Sequence, residues 1–204
     1  MLKIENLTVK YGKNTVIDNL SYTFEDGKKY AITGTSGIGK TTLINTLAGI
    51  IKPKSGAVIS DRRNPTYIFQ EPRLFPWLNA LDNINIICKD KEKALSLLIR
   101  LIDEEGVEAK YPDELSGGMK QRVAIARALS CESDIVFMDE PFKGLDEEMR
   151  NDVRKFVFDQ LKGKTVIVVT HDQDDVLMCD TVLKMSGHPV ICFETEESGN
   201  IETE

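Results

Sequence analysis

The sequence predicts an α/β fold in which a mainly parallel sheet is covered by helices on both faces. Two observations predict this. Short apolar segments alternate along the chain with helical patterns, and such alternation is typical of parallel sheets. In addition, a glycine-rich loop over residues 34–39 lies between one of these strands and the helix that follows it, an arrangement that recurs in nucleotide-binding folds.

Composition and charge restrict the class of protein. The 204 residues are 41% hydrophobic and 29% charged, which is typical of one ordinary globular domain. The net charge is -7, and the last eleven residues hold five glutamates and no base. The rest of the chain is therefore close to neutral, so we expect no binding to nucleic acid through bulk positive charge. The four scattered cysteines and two histidines favour reduced thiols over a zinc site.

The N-terminal part is predicted to be rich in strands. Apolar residues recur at short intervals from Leu2 to Val9, and residues 16–24 and 30–33 continue in extended form. A helix is predicted over residues 40–51, with Ile50 on its buried face beside Leu43 and Leu47.

Helices and strands alternate through the remainder. Residues 57–70 are expected to be strand and loop, and a helical insertion is predicted over about 71–130. Strands are predicted at 135–138, 165–169, 182–185 and 190–193, and helices at 91–104, 116–129, 146–161 and 172–178. No apolar run approaches the ~20 residues that span a bilayer, and no secretion signal is expected. We expect a single domain over residues 1–193, followed by a frayed acidic tail over 194–204.

The glycine-rich loop matches the pattern G-x-x-x-x-G-K-[ST] at every position. Glycines allow backbone N–H groups to turn towards phosphate oxygens, and the helix start adds positive potential. Lys40 is predicted to reach the β- and γ-phosphates, and the Thr41 hydroxyl to bind Mg²⁺. The predicted phosphate-binding residues are Gly34, Thr35, Ser36, Gly37, Ile38, Gly39, Lys40, Thr41 and Thr42.

Two acids follow the apolar segment 135–138. Asp139 is predicted to bind Mg²⁺, and Glu140 to polarise a water molecule against the γ-phosphate. Further on, Ser116, Gly117 and Gly118 open a predicted helix. They are either an ordinary helix cap or a second anion site, with a hydroxyl and free N–H groups. One nucleotide hardly needs two such sites from one chain, so the second reading favours two chains that share each nucleotide across a two-fold axis.

With these motifs the sequence resembles the ATP-binding subunit of an ABC transporter. Six segments stand in the family's order over nearly the whole chain. They are the phosphate loop, Gln70, residues 115–122, Asp139-Glu140, Gly144-Leu145-Asp146 and Thr170-His171-Asp172. The fold that the resemblance implies is a P-loop NTPase core with an N-terminal antiparallel β subdomain and an inserted helical subdomain.

The resemblance also implies roles for single residues. Tyr11 would stack on adenine, although it is also explained as an aromatic at a strand end. Gln70 would contact Mg²⁺ or the attacking water, or it is simply a polar strand end. His171 would contact the γ-phosphate and hold Glu140 in place, and Asp146 would organise the dimer interface. The implied ligands are ATP and Mg²⁺.

The segment around Trp77 suggests a partner. The string Glu-Pro-Arg-Leu-Phe-Pro-Trp-Leu over residues 71–78 is similar to importer ATPases of the nitrate, sulfonate and taurine group. Trp77 is either packed in the core or part of an apolar notch for a membrane subunit. Such importers imply a homodimer in the ATP-bound state, permease subunits, an extracytoplasmic solute-binding protein and a place on the inner face of the cell membrane. The alternatives are a soluble ATPase of the same class, acting in DNA repair or translation, and a small-molecule phosphotransferase.

Overall fold

The computed structural model describes residues 1–61 and 64–197. These residues form two compact units. One contains Met1–Pro65, Asp134–Asp139 and the chain from Gly163 onwards, and the other contains Thr66–Ser133 and Glu140–Lys162. Within the described ranges the strands are β1 (Leu2–Tyr11), β2 (Asn14–Phe24), β3 (Lys29–Thr33), β4 (Ser55–Ser60), β5 (Pro65–Ile68), β6 (Ile135–Asp139), β7 (Thr165–Val169), β8 (Thr181–Met185) and β9 (Phe193–Glu197). The α-helices are α1 (Lys40–Leu47), α2 (Ala80–Cys88), α3 (Lys91–Leu101), α4 (Gly117–Leu129), α5 (Glu147–Gln160) and α6 (Gln173–Val176).

The first unit begins with a three-stranded antiparallel sheet in the order β2-β1-β4. Its buried face includes Leu2, Ile4, Leu7 and Val9. Between Ile4 and Leu7 the strand register shifts, and Asn6 in that interval has a φ of 49°. This irregularity lets side chains three positions apart face the same side of the sheet, because regular strands place only alternate residues on one face.

The second sheet of this unit is mainly parallel, with β6-β7-β3-β8-β9 as neighbours. β6, β7, β3 and β8 run in the same direction, and β9 pairs antiparallel with β8. Every residue of β6 and β7 is buried, as expected for parallel strands covered on both faces. The core of the unit is built on these strands.

The second unit is mostly helical. Helices α2, α3 and α4 pack against one another and bury Ile84, Leu98 and Val123 completely, while α5 packs on α4. Asn79 and Asp90 cap the starts of α2 and α3 through their side-chain oxygens, which accept from the N–H groups of Asp82 and Lys93. In the part of the chain that the structure describes, no helix is both long enough and apolar enough to cross a membrane.

The structure corrects several boundaries. Helix α1 ends at Leu47, because Gly49 adopts a φ of 75° beyond it, and Ile50 is 53% exposed instead of buried. Helix α2 lies inside the predicted helical insertion, although no separate helix was predicted over its residues. Residues 190–193 are not a strand: Val190 makes one bridge to Ile17, and pairing with β8 starts only at Phe193.

The acidic tail differs from expectation in the same region. Residues 194–197, which we expected to be frayed, belong to β9, where Glu194 pairs with Lys184 and Thr195 with Leu183. The rest of that tail lies outside the described residues. The predicted fold class is confirmed: an antiparallel N-terminal sheet, a mainly parallel sheet and a helical part are all present.

Candidate functional site

The predicted residues of the first unit meet at one edge of the parallel sheet. β6, β7 and β3 are neighbours, with Val169 opposite both Asp139 and Ile32. The phosphate loop follows β3, Asp139 ends β6, and His171 comes two residues after β7. In open α/β sheets, ligands bind outside the carboxyl ends of the strands, and these residues lie there.

The phosphate loop has the backbone shape that an anion site needs. Gly39 precedes α1 with a φ of 115°, and a Cβ at this position would lie 2.4 Å from the Val16 Cγ1 atom. No other residue type therefore fits there without displacing a neighbour. The start of α1 has no side-chain cap and no acid in its first turn, so its N–H groups and dipole favour a bound anion.

Lys40 lies at the centre of this loop. Its Nζ donates to the carbonyl oxygens of Gly34 at 2.7 Å and Thr35 at 3.0 Å, and the residue is buried. The loop therefore holds the ammonium group beside its own backbone donors. This is the place where a phosphate would be neutralised.

Two further residues of the first unit flank the loop. Tyr11 is 53% exposed, and its hydroxyl lies 3.5 Å from the Thr42 Oγ1 atom. Its ring is therefore beside the start of α1, with open surface available for stacking. Asp139 is buried and supplies a carboxylate, and Thr41 is exposed and supplies a hydroxyl. Oxygen donors of this kind suit Mg²⁺, so the side chains present are compatible with that ion.

The segment that carries His171 is fixed by a small polar cluster. Thr170 is fully buried, and its Oγ1 donates to the Asp175 carboxylate at 2.6 Å and accepts from the Asp172 N–H at 3.0 Å. His171 itself is exposed. Sequence reasoning did not give Thr170 and Asp175 any role. The sequence did contain a signal for them. When a buried strand ends in Thr and an Asp follows five residues later, the two side chains can form such a bond across a turn.

Glu140 belongs to the second unit, and its backbone is unusual. It has a φ of 45°, a region that non-glycine residues rarely adopt. The Lys143 N–H donates to the Glu140 carbonyl at 3.2 Å, and the Leu145 N–H donates to that of Phe142 at 3.3 Å. Left-handed backbone in a non-glycine residue persists where surrounding contacts enforce it and is frequent at functional sites.

The two glycines of the predicted anion site, at the start of α4, have different surroundings. The Ser116 Oγ accepts from the Met119 N–H at 3.2 Å, so this side chain caps its own helix. A Cβ on Gly118 would lie 3.3 Å from the Gly144 carbonyl, whereas one on Gly117 would meet nothing within 4 Å. Close packing therefore accounts for Gly118, while Gly117 borders open space. Asp146 begins α5 without a side-chain cap bond and is exposed.

Arg122 supports this region from inside the unit. It is buried and donates to the carbonyls of Leu101 at 3.0 Å and Gly118 at 3.3 Å. Burial lowers the pKa of its guanidinium, while the charges of Asp146 and Glu104 act in the opposite direction. The pKa of an arginine remains far above neutrality, so Arg122 stays charged. It is a fixed cation next to Ser116-Gly117-Gly118, which we call the signature segment.

The segment 70–78 is exposed where it carries its predicted functional residues. Gln70 is exposed, and Trp77 is 70% exposed, with its ring tilted against that of Phe75 at 5.5 Å between centroids. The core interpretation of Trp77 is therefore wrong. The segment is held by Asn83, which is fully buried, donates to the carbonyls of Phe75 and Leu78 at 3.1 and 2.8 Å, and accepts from the Phe75 N–H at 2.8 Å. Asn83 was not identified from the sequence.

The predicted site residues thus fall in two different units. Tyr11, the phosphate loop, Asp139 and His171 belong to the first unit. Gln70, Ser116 to Gly118, Glu140 and Asp146 belong to the second. Only the peptide bond between Asp139 and Glu140 places members of the two sets next to each other in the chain.

Comparisons with known proteins agree with this geometry. The family model described as ABC transporter matches residues 17–143. The chain therefore belongs to the ABC transporter ATP-binding family. It is 40% identical to the aliphatic sulfonates import ATP-binding protein SsuB of Bacillus subtilis, over 80% of this chain and 69% of that protein. It is 34% identical to the Fe(3+) ions import ATP-binding protein FbpC of Escherichia coli O157:H7, over 92% of this chain and 60% of that protein. The chain thus spans about 60% of the length of that iron importer protein.

Solved structures give the same class of fold. The chain resembles the dimeric ATP-binding cassette MJ0796 in a post-hydrolysis state bound to ADP and Pi, with a TM-score of 0.88 and 27% identity. The match covers 98% of this chain and 100% of the cassette. A second dimeric structure of that bacterial ABC transporter cassette matches with a TM-score of 0.86.

Proposed function

We propose that this chain is the ATP-hydrolysing subunit of a membrane importer for a small solute. The observation that carries the proposal is the meeting of the phosphate loop, Asp139 and His171 at the carboxyl ends of three adjacent parallel strands. Supporting it are the family membership and the importer names of several relatives.

The chain's own residues suit hydrolysis of the γ-phosphate. Lys40 and the N–H groups at the start of α1 neutralise the β- and γ-phosphates and orient them. Glu140 accepts a hydrogen bond from the attacking water and withdraws its proton as the water attacks phosphorus. His171 contacts the γ-phosphate, and Tyr11 stacks on the adenine with its exposed ring.

Mg²⁺ would be held by Thr41, Asp139 and Gln70. The ion supplies charge that stabilises the phosphate oxygens as the bond to the leaving group breaks. Asp139 suits this role, because it is a buried carboxylate at the end of a fully buried strand.

ATP would join two copies of the chain. Each nucleotide would lie between one phosphate loop and the Ser116-Gly117-Gly118 segment of the other copy, with Asp146 at the interface. Open space above Gly117 supports the approach of a ligand, and the dimeric cassette structures are consistent with it. Closing around ATP and reopening after hydrolysis would drive the permease between its two states.

The Trp77 surface would bind the permease. We define this surface as Phe75, Trp77 and the open groove of about 540 Å³ lined by Pro76, Tyr111, Asp113 and Glu114. Trp77 is a large exposed aromatic in a segment whose backbone Asn83 holds at Phe75 and Leu78, and such residues are typical interface anchors. A short helix of a membrane subunit is the occupant we propose, with an extracytoplasmic solute-binding protein acting through that subunit, and the chain would lie on the inner face of the membrane.

The most specific part of the proposal is the class of solute that the importer carries. The string over residues 71–78 and the 40% identity to a sulfonate importer protein favour an organic or inorganic oxyanion of the nitrate, sulfonate or taurine kind. Iron and sulfate importer proteins match over similar shares of the chain. Uptake measured with the chain and its permease, using a sulfonate and ferric iron as competing solutes, tests this part.

Hydrolysis by the purified chain tests the rest. We expect Mg²⁺-dependent ATP hydrolysis, and we expect Glu140→Gln to lower it about 10²–10⁴-fold while ATP still binds. Light scattering should show that this variant dimerises with Mg·ATP and dissociates without it.

Glu132→Gln, at an exposed position of the second unit, is the matched control and should behave as the unaltered chain does. An unaltered chain that neither binds nor hydrolyses ATP would contradict the proposal. Stimulation by DNA or ribosomes, and not by permease subunits, would favour the alternative of a soluble ATPase.

A further inference from the structure

We infer that Gln121 is a positioning residue for hydrolysis, which fixes the backbone next to both Gln70 and Glu140 with a single side-chain amide. The inference rests on the proposed function, because it assumes that these two residues act on the attacking water. All the residues involved lie in the second unit.

Gln121 lies in the first turns of α4 and is 2% exposed. Its Nε2 donates to the Pro141 carbonyl at 2.8 Å and to the Phe69 carbonyl at 3.2 Å. Phe69 directly precedes Gln70, and Pro141 directly follows Glu140. One side chain therefore contacts the neighbours of two residues that are 70 positions apart in the sequence.

The chemistry of the contact requires a primary amide. Both partners are carbonyl oxygens, which only accept, so the nitrogen of the amide must face them. An NH₂ group has two hydrogens, and each can serve one carbonyl. A carboxylate of the same shape would place acceptor against acceptor, and an apolar side chain would leave two carbonyls without this donor.

Both segments that Gln121 contacts need support. Glu140 has a φ of 45°, and Arg73, three residues after Gln70, has a φ of 47°. Left-handed backbone at such residues is maintained only where nearby contacts oppose its relaxation. The bond from Gln121 to Pro141 lies one residue from the strained Glu140, so it opposes that relaxation directly.

A second side chain of the same helix holds the other flank of Gln70. The Arg127 guanidinium donates to the carbonyls of Pro72 at 3.0 Å and Arg73 at 3.1 Å. Helix α4 thus binds the backbone on both sides of Gln70, with Gln121 before it and Arg127 after it. Gln121 also donates to the segment after Glu140.

This arrangement couples the signature segment to the catalytic residues of the same chain. Helix α4 starts at Gly117, and Gln121 is about one turn further along the same rigid helix. A displacement of the helix start is therefore transmitted through Gln121 to the segments of Gln70 and Glu140. When the signature segment binds a nucleotide, its position becomes part of the geometry that orients the attacking water.

Gln121→Met tests the inference, because methionine has a similar length and no donor. We expect the rate of hydrolysis per folded chain to fall about 10- to 100-fold, since misplacing a catalytic group by ~1 Å can cost this much. The KM for ATP should change less than about threefold, because an effect confined to the reacting state lowers kcat alone. Asp90→Ala, which removes the cap of α3 in the same unit, is the control for lost stability and should leave kcat unchanged.

Two further measurements separate positioning from mere stability. In a Gln70→Ala background, Gln121→Met should lower kcat by a smaller factor, because the effects of substitutions at residues that act through each other are not additive. Hydrogen exchange should also speed up at the Lys143 amide, which donates to the Glu140 carbonyl, and should stay unchanged in Asp90→Ala. Exchange requires no catalysis, so it tests Gln121 even if the chain does not hydrolyse ATP. If Gln121→Met does not fold, Gln121→Glu carries the same measurements.

The inference is wrong if Gln121→Met keeps the unaltered kcat and unaltered exchange at Lys143. It is also wrong if kcat falls no more than in Asp90→Ala at equal loss of melting temperature. Absence of hydrolysis in the unaltered chain, combined with faster exchange in Gln121→Met, would overturn the proposed function and retain the positioning contact.

Discussion

The hydroxyl of Thr170 donates a 2.6 Å hydrogen bond to the carboxylate of Asp175, and both residues are buried. The same hydroxyl accepts from the Asp172 N–H, and the Thr170 N–H donates to the Ile32 carbonyl at 3.3 Å. His171 therefore extends from a segment that is tied to the central strand β3 on one side and to α6 on the other.

We expect Thr170→Val to destabilise the fold and to slow hydrolysis. Valine has a similar shape but cannot donate to Asp175 or accept from Asp172. A buried carboxylate that loses a hydrogen-bond donor lowers the free energy of unfolding by about 1–3 kcal/mol. Urea unfolding measures the stability, and steady-state hydrolysis measures the effect on His171. Thr46→Val is the matched control, because the Thr46 hydroxyl donates to the Thr42 carbonyl of its own helix. Equal unfolding midpoints for Thr170→Val and the unaltered chain would mean that the cluster does not hold this segment.

Lys40→Ala should weaken nucleotide binding itself. The ammonium group sits among the carbonyls and N–H groups of the loop, and hydrogen bonds from charged groups contribute about 1.5–3 kcal/mol. That loss corresponds to a roughly 10- to 100-fold higher Kd for ATP, measured by calorimetry. Lys54→Ala, an exposed lysine of the same unit, should leave the Kd unchanged. Unchanged affinity in Lys40→Ala would rule out the phosphate-loop assignment.

The two glycines at the start of α4 should respond differently to alanine. Gly118→Ala brings a Cβ to 3.3 Å from the Gly144 carbonyl, so we expect it to lower stability by about 1–3 kcal/mol. Gly117→Ala meets no atom within 4 Å, and we expect stability that is unchanged or higher by up to about 1 kcal/mol. In a Glu140→Gln background, Gly117→Ala should nevertheless weaken ATP-dependent dimerisation.

Thermal melting and light scattering on the two variants check this pair. If Gly117→Ala dimerises with ATP as readily as its parent, the open space above Gly117 is not where the nucleotide of the other copy binds. If Gly118→Ala melts at the parent's temperature, the close contact with the Gly144 carbonyl does not limit that position.

Cys179 should be inert in the folded chain. Burial, assisted by the negative charges of Asp175 and Asp180, raises the pKa of this thiol. A raised pKa leaves little thiolate at pH 8, and the thiolate is the reactive form. Maleimide labelling followed by mass spectrometry should therefore modify exposed Cys192 quickly, and Cys179 only after urea is added. Labelling of Cys179 at the rate of Cys192 without urea would contradict its burial.

The order of strands and helices could be predicted where periodicity and length agree. β7 coincides with its predicted bounds of 165–169, and α4 begins behind Ser116 as its cap indicates. For α2 only the helical character of its region was predicted and not its bounds, because its apolar residues alone do not show where the helix starts and ends. The end of α1 was misjudged, since a left-handed glycine two residues after Leu47 outweighs the apolar periodicity that continues to Ile50.

The candidate site followed a similar division. Residues within contiguous motifs could be predicted, because Lys40, Asp139 and Glu140 have local patterns that indicate a chemistry. Two supporting side chains, Gln121 and Asn83, could not be identified, because their partners depend on the fold. Gln121 is 52 residues from Phe69, and Asn83 donates to the carbonyl of Phe75 in the preceding loop. No local pattern distinguishes them from ordinary polar residues of a helix or a strand end.

Trp77→Ala should leave the isolated chain intact and impair its work with the permease. Because Trp77 is 70% exposed, its loss should change stability by no more than about 0.5 kcal/mol, whereas removal of a packed tryptophan costs about 3–5 kcal/mol. At an interface the same truncation can cost 2 kcal/mol or more, which corresponds to at least a roughly 30-fold loss of affinity. Copurification with permease subunits and solute uptake should therefore fall, while hydrolysis by the isolated chain stays near the parent's.

Ile99→Ala, at an exposed apolar residue of α3, is the matched control and should affect neither. Because the Asn83 bonds fix the Phe75–Leu78 backbone independently of the indole, loss of uptake in Trp77→Ala can be assigned to the missing ring. Full uptake in that variant would mean that the permease binds elsewhere on the chain.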